Sequence, residues 1–162
     1  MKKIGKNKIL AVIFWIFAVA VAVVIFRFSC DTGEESAEVS ESLLSVIIEF
    51  IGRFISHNTL RKIAHFSEFA LLGVTLMLHI SALRQRFTIK CGWLWAWGIS
   101  TLYAGSDEFH QGFVGGRAPS LSDVGIDSCG AIAGVLLVLL CRHLQLNLLH
   151  QQRQFLLYLG LE

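Results

Sequence analysis

The sequence contains one proline in 162 residues and few charged residues, which make up only 16% of the chain. Hydrophobic residues account for 54%, and the mean hydropathy is +0.62. So little polar surface excludes a disordered polymer, and it is atypical of a water-soluble globule, whose core must be covered by polar side chains. We therefore expect an integral membrane protein with the lipid bilayer as its surroundings and no nucleic-acid partner.

The sequence also lacks the common motifs of metal sites and disulfide frameworks. Its four cysteines, Cys30, Cys91, Cys129 and Cys141, include no CxxC pair, and no HExxH segment is present. Neither a zinc ribbon nor a disulfide-stapled secreted domain is supported. We predict no metal ligands from motif spacing.

Long apolar runs are abundant, and four approach the roughly 20 residues that a helix needs to cross a bilayer. They cover residues 9–26, 63–83, 89–106 and 124–141. We predict an all-α bundle of four transmembrane helices. Its parts are an N-terminal anchor (1–28), an extracytoplasmic acidic linker with an amphipathic helix (29–60), a three-helix core (61–141) and a cytoplasmic surface tail (142–162).

The first apolar run follows four lysines and has 18 residues without a charge. A cleaved signal peptide is the alternative, but the run is longer than a signal's apolar region and no polar cleavage zone follows it at once. A lipoprotein attached through Cys30 is weaker still, because Arg27 and Phe28 stand where small or aliphatic residues are needed. We expect an uncleaved anchor.

The basic residues predict the orientation. Placing the N-terminus in the cytoplasm puts nine of the fourteen lysines and arginines inside, as the positive-inside rule requires. Four crossings then place both termini in the cytoplasm. Eleven of the twelve acidic residues lie outside or at outer helix ends. We therefore expect the polar chemistry on the extracytoplasmic side of the plasma membrane.

Residues 43–55 have apolar side chains at the 3.6-residue spacing of a helix, with polar side chains on the other face. Thirteen residues are too few to span the bilayer core. We predict an interfacial amphipathic helix in the first outer loop, lying on the outer leaflet beside the bundle.

Ionisable residues near the centre of a membrane-spanning helix cost about 2.5 to 3.5 kcal/mol each, so they need partners or a function. Here they occur in three segments that the topology brings to one depth on one side. This polar cluster comprises Arg61, Lys62, His65, Glu68, Asp107, Glu108, His110, Gln111, Arg117, Asp123 and Asp127. We expect it to converge on one site.

Helical spacing predicts which members of the cluster share a face. The predicted faces are Lys62 with His65 and Glu68, Asp107 with His110 and Gln111, and Asp123 with Asp127. Ser120, Ser122 or Asp123 can cap the fourth span. Gly130 and Gly134 in the segment GAIAG continue the Asp123 face and allow close helix packing just below the polar layer.

The cluster carries five carboxylates against three permanent cations, which leaves two negative charges in a region of reduced dielectric. Protonation of His65 and His110, protonation of one or two carboxylates, or a bound divalent cation would each restore balance. Protonated carboxylates beside histidine would suit acid and base chemistry. No recognised motif supports the cation, so the cofactor is left open.

Three segments carry a family resemblance: KIAHFSEFALLG from Lys62, SDEFHQGFVGGRAPSLSDV from Ser106 and GIDSCGAIAG from Gly125. Together they resemble the VanZ-like integral membrane proteins over roughly half of the chain. The loop departs from the family pattern, which often has proline before the second glycine. The resemblance implies a multi-pass plasma-membrane protein, in a family named for a protein that lowers susceptibility to teicoplanin-type glycopeptide antibiotics. It implies the shared polar set but no known reaction.

Two hypotheses follow. In the first, the protein is an enzyme or binding protein acting at the outer leaflet on a lipid-linked or cell-wall substrate. Its catalytic candidates are His65, Glu68, Asp107, Glu108, His110 and Asp123, and its substrate-binding candidates are Arg61, Lys62, Gln111, Arg117 and Asp127, with the cations holding an anionic group. In the second, the protein is not an enzyme, and the cluster only fixes helix packing or supports partner binding.

The sequence does not decide whether a reaction is catalysed. No serine near the cluster has the spacing of a nucleophile elbow or triad. Transport is disfavoured, since four spans offer no inverted repeat. The oligomeric state is left open.

Overall fold

The computed structural model of the chain describes residues 5–36, 38–39, 41–42, 56–84 and 91–159. Its elements are α1 (Lys6–Ser29), α2 (His57–Arg84), α3 (Gly92–Gln111) and α4 (Leu121–Tyr158). No strand occurs within the described ranges. The prediction of an all-α protein is confirmed.

Three of these helices are long and apolar enough to cross a bilayer, namely α1, the Asn58–Leu83 part of α2, and α4. The 20-residue α3 does not meet the same criteria. Its glycines, serines and tryptophans, together with two acidic residues near its end, lower its hydropathy. Length and composition therefore support three candidate spans among the described residues, where the sequence predicts four.

Helix α2 packs against the other three helices. It runs opposite to α1, because its C-terminal part contacts the N-terminal part of α1. Tyr103 of α3 donates its hydroxyl to the Ala22 carbonyl of α1 at 2.7 Å, and two turns further His110 Nδ1 lies 3.3 Å from Ser29 Oγ. Helices α1 and α3 are therefore parallel. Their C-terminal ends meet the N-terminal ends of α2 and α4 at what we call the polar end.

Helices α2 and α4 touch along Gly73, Gly130 and Gly134, which we call the glycine seam. A Cβ at Gly130 would overlap the carbonyl oxygen of Phe66, and one at Gly134 would overlap that of Ala70. A Cβ at Gly73 would overlap the α4 backbone in the same way. Phe66 meets Gly130 and, four residues later in both helices, Ala70 meets Gly134, so α2 and α4 run parallel. The close approach predicted for the GAIAG segment is confirmed.

The apolar core lies just beneath the polar end, with Phe69 and Met77 of α2 and Val135 of α4 fully buried. In a bilayer, lipid chains are as apolar as these side chains, so burial alone gives little drive for association. Close van der Waals packing and interhelical hydrogen bonds must hold the helices together. The glycine seam supplies the closest of this packing.

The structure differs from the predicted boundaries in two places. Helix α2 begins at His57, six residues before the predicted span. Helix α4 continues without a break to Tyr158, although we predict a separate surface tail from residue 142. No glycine or proline interrupts that stretch, so the helix has no local reason to end. Its residues 142–158 are all exposed. The predicted amphipathic helix at 43–55 lies outside the described residues.

We expect Gly134→Ala to destabilise the protein by about 1 to 3 kcal/mol, since its methyl group would overlap the α2 backbone and push the helices apart. Denaturant unfolding of the protein in detergent micelles measures this. The matched control is Gly125→Ala in the same helix, where nothing lies within 4 Å of the added Cβ. There the better helix propensity of alanine should leave stability equal or slightly higher. Equal stability of both variants would contradict the glycine seam.

Candidate functional site

Side chains from α1, α2 and α3 and from the loop after α3 surround a cavity of about 230 Å³ at the polar end, and α4 contributes none of its lining residues. Its walls come from the end of α1, from Asp31, Ser36 and Val39, from the first half of α2, from the end of α3 and from the loop. The charged, imidazole and amide side chains that line it are Asp31, Arg61, His65, Glu68, Asp107, Gln111 and Arg117. The segments that contain Arg61 and Asp107 therefore meet at the cavity together with the loop, whereas Glu108, Asp123 and Asp127 do not line it.

Helices α2 and α4 are joined by two charge contacts directly above the glycine seam. Arg61 Nη2 lies 3.4 Å from Asp123 Oδ2, and one turn further His65 Nδ1 lies 3.4 Å from Asp127 Oδ1. The Arg61 pair is partly exposed and so contributes no more than about 1 kcal/mol. The contact between His65 and Asp127 is within ion-pair distance but lacks hydrogen-bond alignment. Asp127 itself is fully buried. As predicted, Asp123 and Asp127 point the same way.

Asp107 is the most informative carboxylate of the cavity wall. It is only 4% exposed, and its Oδ2 accepts a hydrogen bond of 2.9 Å from Gln111 Nε2 one turn later. Its Oδ1 is buried and has no hydrogen-bond partner in the described part of the chain. An unsatisfied buried acceptor costs about 1 to 3 kcal/mol, and more when it is charged. Asp107 also lines the cavity.

Glu108 performs the capping that we predict for the first residues of α4. Its Oε1 accepts a 2.6 Å hydrogen bond from the backbone N–H of Ser120, just before the helix. The Ser120 side chain makes no capping bond, and Asp123 instead contacts Arg61 and the Ser122 hydroxyl. A carboxylate at a helix N-terminus is favourable because unpaired N–H groups leave partial positive charge there. Glu108 therefore joins α3 to the start of α4.

Arg117 connects the loop after α3 to the end of α1. Its Nη2 donates a hydrogen bond of 3.2 Å to the Phe28 carbonyl, and its buried Nε has no acceptor among the described residues. Burial, and then the neighbouring Arg61, lower the pKa of the Arg117 guanidinium, whereas Asp31 and Asp107 act in the opposite direction. An arginine remains charged in proteins despite such shifts. Part of its donor capacity is therefore already used inside the protein.

Lys62 does not share the cavity face, contrary to the predicted grouping. It borders a small depression with His65 and Asp123 on the other side. The cavity face of α2 is formed by Arg61, His65 and Glu68, at positions i, i+4 and i+7. Over two turns, this spacing matches the 3.6-residue period of a helix more closely than the predicted i, i+3 and i+6 spacing that starts at Lys62. The observed cavity face therefore differs from the predicted face by about one residue of helix rotation.

His110 is also absent from the cavity wall. Its Nδ1 lies 3.3 Å from Ser29 Oγ, and its ring packs on Phe26 with ring centroids 4.9 Å apart. The predicted shared face is therefore correct for Asp107 and Gln111 but wrong for His110. Helix α1 packs closely beside this part of α3, so the imidazole contacts α1 rather than the cavity.

Residues 31–36, which we call the roof segment, cover one side of the cavity. Gly33 donates its N–H to the Gly115 carbonyl at 3.1 Å, and a Cβ at Gly33 would overlap the Gly116 carbonyl oxygen. Gly116 has a φ of +77°, a left-handed conformation that favours glycine. Asp31 of the roof segment lines the cavity. Sequence reasoning assigned this stretch only to an acidic linker.

A local signal for the roof segment exists in the sequence. Thr32 donates its N–H to Glu35 Oε2 at 2.8 Å, and Glu35 donates its N–H to Thr32 Oγ1 at 3.3 Å. These reciprocal bonds form a capping box, which the pattern Thr-x-x-Glu indicates. The bonds from Thr32 lower the pKa of the Glu35 carboxyl below its usual range. The box starts the helical turn at 33–36.

The cluster offers several acceptors but no metal-binding arrangement within the described ranges. No three histidine, cysteine, aspartate or glutamate side chains there are placed together to hold a metal ion. Glu68 and Asp107 line the cavity beside His65. Groups of this kind can accept hydrogen bonds from a bound molecule or exchange protons with it.

A protein-family model described as VanZ/LLP1 matches residues 14–142. The matched region includes every residue of the polar cluster and the whole glycine seam. Comparison with curated proteins and with solved structures found no match.

We expect Gly33→Ala to loosen the roof segment, because the added methyl group would overlap the Gly116 carbonyl. Hydrogen exchange measured by mass spectrometry should show faster exchange in residues 31–36 than in the wild type. Gly115→Ala is the matched control, since nothing lies within 4 Å of its Cβ and its carbonyl remains available to Gly33. Unchanged exchange in Gly33→Ala would mean that the glycine contact does not hold the roof segment.

Proposed function

The chain belongs to the VanZ/LLP1 family, and on that premise we propose that it is a multi-pass plasma-membrane protein whose cavity binds lipid-linked or other cell-envelope material. The observation that carries the proposal is the cavity of about 230 Å³, into which Glu68 and Asp107 project from two different helices. A structural bundle could reach the same stability with fewer buried charges. Ionisable groups retained in such a place indicate a functional site.

The proposed orientation places the polar end outside the cell. Nine of fourteen basic residues then lie in cytoplasmic segments. The alternating directions of the four helices support α3 as a further crossing despite its lower hydropathy, since α1 and α3 are parallel. With both termini in the cytoplasm, the cavity faces the outer leaflet and the envelope.

The cavity mouth suits an amphiphile. Phe28, Val39 and Ile63 line it and are each about half exposed, whereas Asp107 at its inner side is buried. An apolar rim with polar groups inside matches a molecule whose head group enters while its chain stays in lipid. This arrangement supports envelope or lipid-linked material as the ligand class, and through it an effect on glycopeptide susceptibility.

Chemistry at the site would rest on Glu68 and Asp107 as acid or base candidates, with His65 beside them. Arg61, Gln111 and Arg117 would hold the ligand. Glu108 contacts the start of α4, and His110 contacts α1. We therefore propose that both residues position the site rather than touch the ligand. Ser29 lines the cavity, and its Oγ lies 3.3 Å from Nδ1 of His110, within hydrogen-bond reach of a base. The proposal itself requires binding rather than turnover.

The alternative is a non-enzymatic membrane protein in which the cluster only fixes helix register. The contacts of Arg61 with Asp123 and of His65 with Asp127 favour it, because they continue the glycine seam between the same two helices. We propose that this register role applies to the α2–α4 half of the cluster, whereas Glu68 and Asp107 on the cavity side serve the ligand.

We expect Glu68→Gln and Asp107→Asn to abolish function while leaving the protein at wild-type abundance, because each change removes a charge from the cavity but keeps its shape. The assay pairs teicoplanin susceptibility of a glycopeptide-susceptible host with the amount of protein in the membrane. Glu34→Gln changes an exposed carboxylate that does not line the cavity, so this variant is the control and should behave as wild type.

Loss of abundance together with function in both variants would favour the register role for the whole cluster. Protection that persists in both variants would contradict a role for the cavity carboxylates. If the wild type gives no protection, glycopeptide susceptibility is not an effect of this protein.

The proposed topology predicts opposite labelling of two native cysteines. Cys30 lies at the polar end and Cys91 at the other end of the bundle, and both are exposed and unbonded. In variants that retain one cysteine, a membrane-impermeant maleimide should label Cys30 in intact cells and Cys91 only after permeabilisation. The reverse pattern would place the cavity in the cytoplasm and contradict an envelope substrate.

A further inference from the structure

The charges of the cavity wall favour one kind of head group over another. This inference rests on the proposed function of the cavity as a ligand site. Three carboxylates line the cavity, from Asp31, Glu68 and Asp107, against the guanidinium groups of Arg61 and Arg117. An anionic head group would add a like charge beside the three carboxylates. A cation would meet opposite charge on several sides.

Each of the two guanidinium groups makes one polar contact within the described part of the protein, whereas Nε of Arg117 has no acceptor there. Arg61 contacts Asp123 at 3.4 Å, and Arg117 donates to the Phe28 carbonyl. Lys62 does not line the cavity. Part of the donor capacity of Arg61 and Arg117 is therefore used within the described part of the chain, and Lys62 is turned away from the cavity.

Three buried atoms of the cavity-lining residues have no hydrogen-bond partner among the described residues: His65 Nδ1, Arg117 Nε, which is a donor, and Asp107 Oδ1, the one carboxylate oxygen among them. Asp107 is 4% exposed, and its Oδ1 has no donor among the described residues, while its Oδ2 is held by Gln111. Glu68 stands beside the same space. A molecule that donates hydrogen bonds satisfies this oxygen, whereas a phosphate or carboxylate does not. A primary ammonium group supplies both donors and positive charge.

The size of the cavity limits how much of the ligand enters. About 230 Å³ is below the 300 to 1,000 Å³ range of pockets that enclose a whole small molecule. Only a head group fits, and a chain attached to it must leave over the half-exposed Phe28 and Ile63. The ligand is therefore an amphiphile with a small polar end.

We propose that the cavity binds the primary ammonium group of an amphiphile, with the ammonium between Asp107 and Glu68 and the alkyl chain passing over Phe28 and Ile63 into the bilayer. The amine can belong to a membrane lipid or to a separate amphiphile of the envelope. The ammonium chemistry is the same for both sources.

The test uses the full-length protein purified in dodecyl maltoside and titrated with decylammonium or with decyl phosphate in a calorimeter. Decylammonium should bind at least about tenfold more tightly than decyl phosphate, and ethylammonium, which lacks the chain, about tenfold more weakly than decylammonium. Asp107→Asn should weaken decylammonium binding about tenfold or more. The exposed Glu34→Gln is the control and should leave it unchanged.

Asp31→Asn gives a second variant at the less buried edge of the cavity, in case Asp107→Asn does not fold. It should also weaken decylammonium binding. Competition with nanodiscs distinguishes the two sources: displacement by phosphatidylethanolamine but not phosphatidylglycerol identifies a membrane lipid, and absence of displacement by either identifies a separate amphiphile. Both results support an ammonium site.

Two outcomes would overturn the inference, and they differ in what they leave of the proposed function. If decyl phosphate binds at least as tightly as decylammonium and the cavity variants change its affinity, the cavity takes an anion and remains a ligand site. If neither probe responds to Asp107→Asn or Asp31→Asn, the ammonium site fails and the cavity loses its support as a ligand site.

Discussion

Along Gly73, Gly130 and Gly134, the backbones of α2 and α4 touch without intervening side chains. In lipid, where apolar side chains gain little by leaving their surroundings, such contact is one of the strongest ways to hold two helices in register. That register determines which residues meet one or two turns above it. Arg61 comes opposite Asp123 and His65 opposite Asp127 because the seam fixes the rotation and height of both helices.

The cluster above the seam divides into two halves with different surroundings. On the α2–α4 side, each carboxylate lies 3.4 Å from a basic side chain across the interface, although the oxygens of the buried Asp127 make no hydrogen bond among the described residues. On the cavity side, Glu68 and Asp107 line open space, and one Asp107 oxygen is buried without a donor. Glu108, Arg117 and His110 tie the end of α3 and its loop to α4 and α1, so the cavity is held from several directions. This division is why one polar cluster can both stabilise the fold and leave groups available for a ligand.

The sequence predicts well what depends on local periodicity. Apolar runs predict the helices, the GAIAG spacing predicts close packing, and the four-residue interval predicts that Asp107 and Gln111 share a face. It predicts poorly what depends on rotation of one helix against another. A change of one position along α2 decides whether Arg61 or Lys62 faces the cavity. His110 faces α1 because it contacts Ser29, which is 81 residues away in the chain.

The roof segment illustrates a further limit. Its Thr32–Glu35 capping box is readable from the sequence, but the contact of Gly33 with Gly116 joins two loops far apart in the chain. Nothing local in either loop predicts that contact. The cavity exists only through such long-range contacts, so its volume and its buried, unpaired carboxylate oxygen could not be derived before the fold was known.

The central claim is that the polar end holds a ligand at the cavity carboxylates. A cryo-electron microscopy map of the full-length protein, extracted with its native lipids into polymer nanodiscs, tests it most directly. The account predicts density not belonging to the protein within about 3 Å of Asp107 Oδ1, continuing past Phe28 and Ile63. A cavity closed by the protein's own side chains, with the Asp107 oxygen bonded to one of them, would contradict it.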